Sequence, residues 1–245
     1  MLDLNSFSCY FKDILSQNGL ELYANDQIAE KFHTLTTRML EINEKMNLTA
    51  IKEEKAIILL HYADCLTISS LLPQNAKIAD IGCGAGFPCL PLAICRPDLE
   101  ILAIDSTEKR IRYVNDTAKM LGCQNLKAVA MRAEEGANGA LREQFDVCTA
   151  RAVAALPALS ELCLPYVKQG GKFIAMKGKR GEEELSEAKN AIAKLGGKLS
   201  ALHAIKLRRE NEEEAETRYL IEIQKVSNTP KEFPRAWGKI LKKPL

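Results

Sequence analysis

The sequence predicts an α/β protein built on a doubly wound, mostly parallel sheet. Three observations predict it. Short apolar runs alternate with helix-like stretches from residue 77 onward, which is the signature of repeated strand–helix–strand units. The first run, Ile78 to Ile81, breaks abruptly into Gly82, Gly84 and Gly86. The second, Leu99 to Ile104, ends on an acid, Asp105. A glycine turn between strand and helix, with an acid closing the next strand, marks the ligand-binding end of such a sheet.

The elements follow in order. Residues 1–72 read as a helical extension. Leu35, Met39, Ile42 and Met46 recur at three- and four-residue spacing, as do members of the set Ile57, Leu60, Ile68 and Leu71. Pro73 closes this section. Residues 73–226 form the sheet domain. Strands are expected near 77–81, 99–104, 126–130, 145–150, 171–176, 198–207 and 217–225, seven in all. Helices are expected near 88–95, 107–121, 156–167 and 181–195. Gly170–Gly171 and Gly196–Gly197 read as helix stops and turns. Residues 227–245 form a basic tail that holds Pro230, Pro234 and Pro244, and its expected form is irregular.

Bulk composition narrows the function. A chain of 245 residues accommodates one large α/β domain with an extension, and 27% charged residues suit a water-exposed globule. No apolar stretch is long enough to span a membrane. Asp3 and the lack of a basic leading segment argue against a secretion signal, so a cytoplasmic location is expected. The eight cysteines form no Cys-x-x-Cys pair and there are only three histidines, so no metal site is expected. The cysteines read as small buried hydrophobes in a reducing compartment. Net charge is only +2, but the segment from Val226 to Leu245 carries five bases against one acid. The run Glu212-Glu213-Glu214 reads as a solvated loop.

The glycine turn selects a class of ligand. Glycine tolerates positive φ and has no Cβ, so a ligand can lie against the backbone. A dinucleotide fingerprint would need a glycine where Phe87 stands, and a bulky residue there leaves little room for a pyrophosphate. Alternate glycines with Asp80 two residues ahead suit a cofactor without phosphates, S-adenosylmethionine (SAM). Asp105 can accept both ribose hydroxyls of its adenosine. Asp80 has a second reading, as a strand-end residue with no ligand role. More broadly, a sheet of this kind can hold other adenosine cofactors.

Three further segments should border the site, because ligands bind beyond the carboxyl ends of the strands. They are Arg132-Ala133-Glu134, Arg151, and Lys177-Gly178-Lys179-Arg180. Ala133 and Glu134 are placed to read an adenine ring, although acids here also suit a helix start. Arg151 is the leading candidate for an active-site side chain, positioning cofactor or substrate. Arg132 and Lys177 add positive charge at this end of the sheet, as do Lys109 and Arg110, which otherwise read as a solvated helix face.

The ordered blocks of the sequence resemble one family, the bacterial 16S ribosomal RNA guanine-N7 methyltransferases (RsmG, or glucose-inhibited division protein B). The resemblance runs from about residue 30 to the C-terminus. It includes Asn47-Leu48-Thr49, His61, the turn Asp80-Ile81-Gly82-Cys83-Gly84-Ala85-Gly86-Phe87-Pro88, Asp105-Ser106 and Lys109-Arg110. It continues through Arg132-Ala133-Glu134-Glu135, Arg151-Ala152, Met176-Lys177-Gly178 and Thr229 to Arg235. Cys83 replaces a usual threonine, and Ala236-Trp237-Gly238 departs from a basic, proline-bearing ending. The resemblance implies a class I SAM-dependent methyltransferase fold and methyl transfer to N7 of one guanine in the decoding-region loop of 16S rRNA. The implied substrate is the small ribosomal subunit or its assembly intermediate, with no obligate protein partner. It also implies cofactor contacts from Asp80, Gly82, Gly84, Gly86, Phe87, Asp105, Ser106, Ala133, Glu134 and Arg151.

The chemistry agrees with the residues. Guanine N7 carries an in-plane lone pair and no proton, so its alkylation needs no general base, covalent cysteine or metal. An adenine-N6 enzyme would be expected to carry an Asn/Asp-Pro-Pro-aromatic block near 149–152, where this chain has Thr149, Arg151 and Ala152. A cytosine-C5 enzyme needs a nucleophilic cysteine, and Cys148 falls inside a strand. Two other readings remain at this stage: a SAM-dependent enzyme for a small metabolite, and a non-catalytic RNA-binding protein. The basic residues around the cleft favour RNA over the first, with Arg132, Lys177, Lys109 and Arg110 as candidates for RNA phosphate contacts. The intact glycine turn speaks against the second.

Overall fold

The computed structural model describes residues 1–209 and 215–245. The acidic run at Glu212–Glu214 lies outside the described residues.

Helices α1 (Leu4–Gln17) and α2 (Asp26–Met46) begin on Asp3 and Asn25, whose side chains accept amide hydrogen bonds from Ser6 and Ile28. Helix α2 stops at Asn47, which adopts the left-handed conformation (φ 49°). Next come α3 (Glu54–Ile57), a π-helical turn (Ile58–Ala63) and α4 (Asp64–Leu66). The sheet domain then runs β1 (Lys77–Ile81), α5 (Cys89–Cys95), β2 (Glu100–Asp105), α6 (Glu108–Met120), β3 (Leu126–Ala130), α7 (Ala133–Asn138) and β4 (Phe145–Arg151). It continues with α8 (Leu156–Cys163), β5 (Val167–Lys177), α9 (Gly181–Lys194), β6 (Gly197–Leu207) and β7 (Glu216–Lys225). Helix α10 (Trp237–Lys242) follows.

The seven strands are ordered β3-β2-β1-β4-β5-β7-β6. The first five are parallel; β7 runs antiparallel to both neighbours. The order reverses between β1 and β4, which is where a doubly wound sheet opens a crevice for a ligand. Alternation along β1 feeds two cores. Ile78 packs with Phe11, Phe32, Met39 and Tyr62 of the helical extension. Ala79 and Ile81 face Phe145, Leu159 and Phe173 on the other side. The extension is thus fused to one face of the sheet.

Two details differ from the sequence expectation. Gly170 and Gly171 do not stop a helix. They lie inside β5, where the pairing with β4 slips between Phe145–Val167 and Val147–Lys172. A Cβ on Gly171 would stand 2.5 Å from the Asp146 carbonyl oxygen, so glycine permits this bulge. The tail is also not irregular throughout. It ends in α10 and is bonded along its length to the sheet domain. Thr229 Oγ1 donates to the Leu195 carbonyl (2.8 Å), and Arg142 donates to the carbonyls of Thr229 (2.7 Å) and Phe233 (2.8 Å). Arg235 forks onto Glu161 at 2.8 and 2.6 Å, and Glu161 is completely buried.

Candidate functional site

Two cavities open at the carboxyl ends of the strands, and Val153 lines both.

The first, about 200 Å³, lies beside the glycine turn. Gly82, Gly84 and Gly86 have φ of 71°, 54° and 91°, values that favour glycine. The amides of Gly82 and Cys83 donate to the Ile104 carbonyl at 2.7 and 3.1 Å, tying the turn to the end of β2. Asp105 stands at that end. Its Oδ2 accepts the Gly84 amide (3.1 Å) and its Oδ1 accepts the Thr107 amide (2.8 Å). A carboxylate has about four acceptor positions, so each oxygen keeps capacity for a hydroxyl. Ser106, Ala133 and Glu134 line the same cavity, as the sequence predicts.

Asp80 is wholly buried under the turn. Its Oδ2 accepts the Cys89 amide (3.2 Å), while Oδ1 has no partner. Burial pushes this carboxyl up to about 7, opposed by the Cys89 hydrogen bond. A buried acceptor without a donor is costly and invites one. The fit to SAM is therefore good. The turn gives close backbone approach at Gly82 and Asp105 gives a carboxylate with acceptor capacity at the cavity, whereas Gly84, Gly86 and the fully buried Asp80 line neither cavity. Cys83 does not face the cavity; it is buried against Cys89.

The second cavity, about 660 Å³, is lined by His61, Asp64, Arg151, Lys177, Arg218 and Tyr219 among others. Arg151 ends β4, but it does not project freely. Its guanidinium donates to the Leu60 carbonyl (3.0 Å), Asp64 Oδ2 (3.0 Å) and His61 Nδ1 (3.1 Å), and lies 5.2 Å from the centre of the Phe87 ring. Asp64 Oδ1 is 3.4 Å from Arg218 Nε. Because Arg151 donates to Nδ1, His61 must carry its proton on Nε2, which donates to Thr49 Oγ1 at 2.9 Å. Burial, with Arg151 beside it, lowers the His61 pKa to about 3. Thr49 is itself held by Asn43, which bonds both its amide and its carbonyl. The Asn47-Leu48-Thr49 block thus ends α2 and fixes a neutral histidine. The π-helical turn is what carries His61 to this position, and such turns recur at functional sites.

Several candidates are placed differently from expectation. Phe87 is not at the cofactor cavity. It is 5% exposed and stacks on His61 with centroids 4.4 Å apart, so it braces the Arg151 cluster. Arg151 lines the second cavity and not the first. Lys177 is not the free surface base that a phosphate contact needs. Its ammonium is buried, bonding Glu184 Oε2 (2.7 Å) and the Ala154 carbonyl (2.6 Å). Arg110 lies 3.7 Å from Asp105 Oδ2 and lines the first cavity, with its side chain still 41% exposed. Arg132 and Lys109 are exposed, Arg132 at the rim of the first cavity. Cys148 is fully buried in β4 and its thiol is pushed well above the usual range by burial, which removes it as a nucleophile.

Among the lining residues that sequence reasoning missed, four bear on the chemistry: Asp64, Val153, Arg218 and Trp237. Trp237 was visible only as a departure in the tail. The other three carried no local signal.

Comparison with known proteins adds three findings. A family model described as GidB, rRNA small subunit methyltransferase G, matches residues 28–213. The chain is 43% identical over 230 residues to the ribosomal RNA small subunit methyltransferase G of Clostridium perfringens, covering 93% of this chain and 94% of that one. To the protein of the same name from Staphylococcus saprophyticus it is 45% identical over 233 residues, covering 94% and 95%. Among solved structures it resembles precorrin-6y C5,15-methyltransferase from Geobacter metallireducens (TM-score 0.51, 17% identity, 74% of this chain and 91% of that). It also resembles M. jannaschii TYW2 in complex with AdoMet (TM-score 0.53, 15% identity, 65% and 74%). These structural likenesses bear on the fold, a class I SAM-dependent methyltransferase sheet.

Proposed function

Because this chain belongs to the GidB family, the rRNA small subunit methyltransferases G, we propose that its two cavities divide one reaction: adenosine of SAM in the first, a guanine of 16S rRNA in the second. The protein is a SAM-dependent rRNA methyltransferase. SAM supplies a methyl group made electrophilic by a sulfonium.

The observation that carries the reading is the Asp105 carboxylate at the end of β2, fastened to the Gly84 amide and facing the cavity with acceptor capacity left over. Gly82 brings backbone without a side chain to the same edge. The Ala133–Glu134 segment closes the far side, where an adenine would lie.

The second cavity supports N7 of guanine as acceptor. His61 is neutral and has both ring nitrogens engaged. Asp64 is held between Arg151 and Arg218. Neither is poised to remove a proton, and N7 has none to remove. Arg151 acts as a positioning residue, fixing the wall formed by His61 and Asp64. The exposed Arg132 and Lys109 are the proposed phosphate contacts. The substrate is a small ribosomal subunit or its assembly intermediate, which sets the site of action in the cytoplasm. Among the described residues no helix is long and apolar enough to cross a membrane. A small metabolite as acceptor is not favoured, given the exposed bases at the rim.

The test is incubation with labelled SAM and unmodified small-subunit particles, or the naked 16S rRNA, followed by mapping of the modified base. Methylation at N7 of a single guanine is expected. Label on another atom or base, or on small molecules alone, would overturn the substrate assignment.

A further inference from the structure

We propose that the C-terminal strap completes the cofactor site, and that Trp237 forms the aromatic wall of its adenine subsite. The inference rests on the reading of the first cavity as the adenosine site.

The strap is built to deliver this residue. Arg235, two positions earlier, is locked bidentately to the buried Glu161. Ile240, three positions later, is completely buried. Between these anchors the Trp237 amide donates to Glu134 Oε1 at 3.3 Å. Glu134 belongs to the segment after β3, where the purine must fall once Asp105 has fixed the ribose. Trp237 lines that cavity with Asp105, Ser106, Ala133 and Glu134, and is its only aromatic lining residue among those described. Every purine offers a π face, and an indole beside it stacks well. The basic tail therefore serves the cofactor through Trp237, while Arg235 spends its charge on Glu161.

The chain contains one tryptophan, so its fluorescence reports this residue alone. Full-length protein is titrated with SAM, adenosine and methionine, with excitation where tyrosine does not absorb, and binding is followed in parallel by calorimetry. SAM and adenosine should quench the signal with the calorimetric midpoint, and methionine should not. Trp237→Ala should weaken SAM about 5- to 100-fold, the range for loss of one base–aromatic stack. Trp237→Phe should recover most of that loss. Arg235→Ala should weaken SAM and blunt the quenching, because the strap loses its anchor. SAM that binds wild type and Trp237→Ala equally, with no fluorescence change, overturns the proposal and leaves the enzyme assignment standing. A folded wild-type protein that binds neither SAM nor adenosine by calorimetry overturns the cavity assignment itself.

Discussion

At the glycine turn the amides of Gly82 and Cys83 are bonded to the Ile104 carbonyl and that of Gly84 to Asp105, and the acceptor left open towards the cavity is the spare capacity of the Asp105 carboxylate. Around Arg151 the reverse holds. The guanidinium, Asp64, His61 and Thr49 spend their hydrogen bonds on one another and on the Leu60 carbonyl. The first region is a receptor with vacancies, and the second is a closed brace between the helical extension and β4. A mutation in the first should therefore act on ligand affinity, and one in the second on stability and shape.

Gly82→Val is the largest expected break. A Cβ there would stand 2.4 Å from Val153 Cγ2, at a φ of 71° that a β-branched residue resists. SAM binding should vanish, and stability should fall by about 2 kcal/mol or more. Pairing Gly82→Ala with Val153→Ala sharpens the point, since removing the clash should restore more stability than affinity. Calorimetry and denaturant titration on the same samples check both.

Arg151→Ala should cost about 3–5 kcal/mol of stability, the range for breaking a buried ion pair. The site is not the exposed strand end that the sequence suggests, where about 1 kcal/mol would be expected. Arg151→Lys should recover only part, since an ammonium cannot span Leu60, Asp64 and His61 together. SAM affinity should change little. A large loss of affinity with unchanged stability would abolish the contrast between the two regions.

Asp105→Ala should weaken SAM by about 1.5–3 kcal/mol, as expected for a charge-assisted hydrogen bond. Competition by adenosine but not by 2′,3′-dideoxyadenosine would tie the loss to the ribose hydroxyls.

The brace also predicts a pH dependence. His61 has a pKa near 3 when folded, against 6.5 as its ordinary value. The unfolded chain therefore binds the extra proton between those values, and the His61 contribution to stability falls as pH drops from about 6.5 towards 3, against an opposite contribution from Asp80, whose raised pKa favours the folded state as pH falls below about 7. The slope from His61 is at most about 1.4 kcal/mol per pH unit. His61→Gln should flatten the curve in that window; an unaltered curve would mean that His61 is charged in the folded protein. The smallest effect concerns the rim. Arg132→Ala or Lys109→Ala should each lower the log–log salt slope of RNA binding by about 1.

The open region was legible because its parts are local in sequence. Asp80 to Gly86, Asp105-Ser106 and Ala133-Glu134 each follow a strand, and parallel topology alone brings three strand ends together. The seven strands and the major helices were legible for the same reason, since period and turn residues act over a few positions. The brace was not. Arg151 meets Leu60, His61 and Asp64 across about 90 residues of chain, and no local pattern announces that meeting. Lys177 looks like a surface base in sequence, and only the placement of Glu184 and the Ala154 carbonyl turns it inward. Trp237 was noticed as an oddity in the tail. Its place at the cavity depends on Glu161 and Glu134, from two helices far upstream.

Val153 faces both cavities, so the two ligands share a movable wall. The first cavity, at about 200 Å³, is below the usual 300–1,000 Å³ of a small-molecule site, and Val153 stands over Gly82 where the rest of the cofactor would run. A cofactor running past Gly82 and a base in the second cavity would both press on this side chain. Linkage then makes the bookkeeping symmetric: whatever factor one ligand imposes on the affinity of the other is returned in full. A single valine would set the cooperativity of the ternary complex, and trimming it to alanine would make the two binding events more nearly independent.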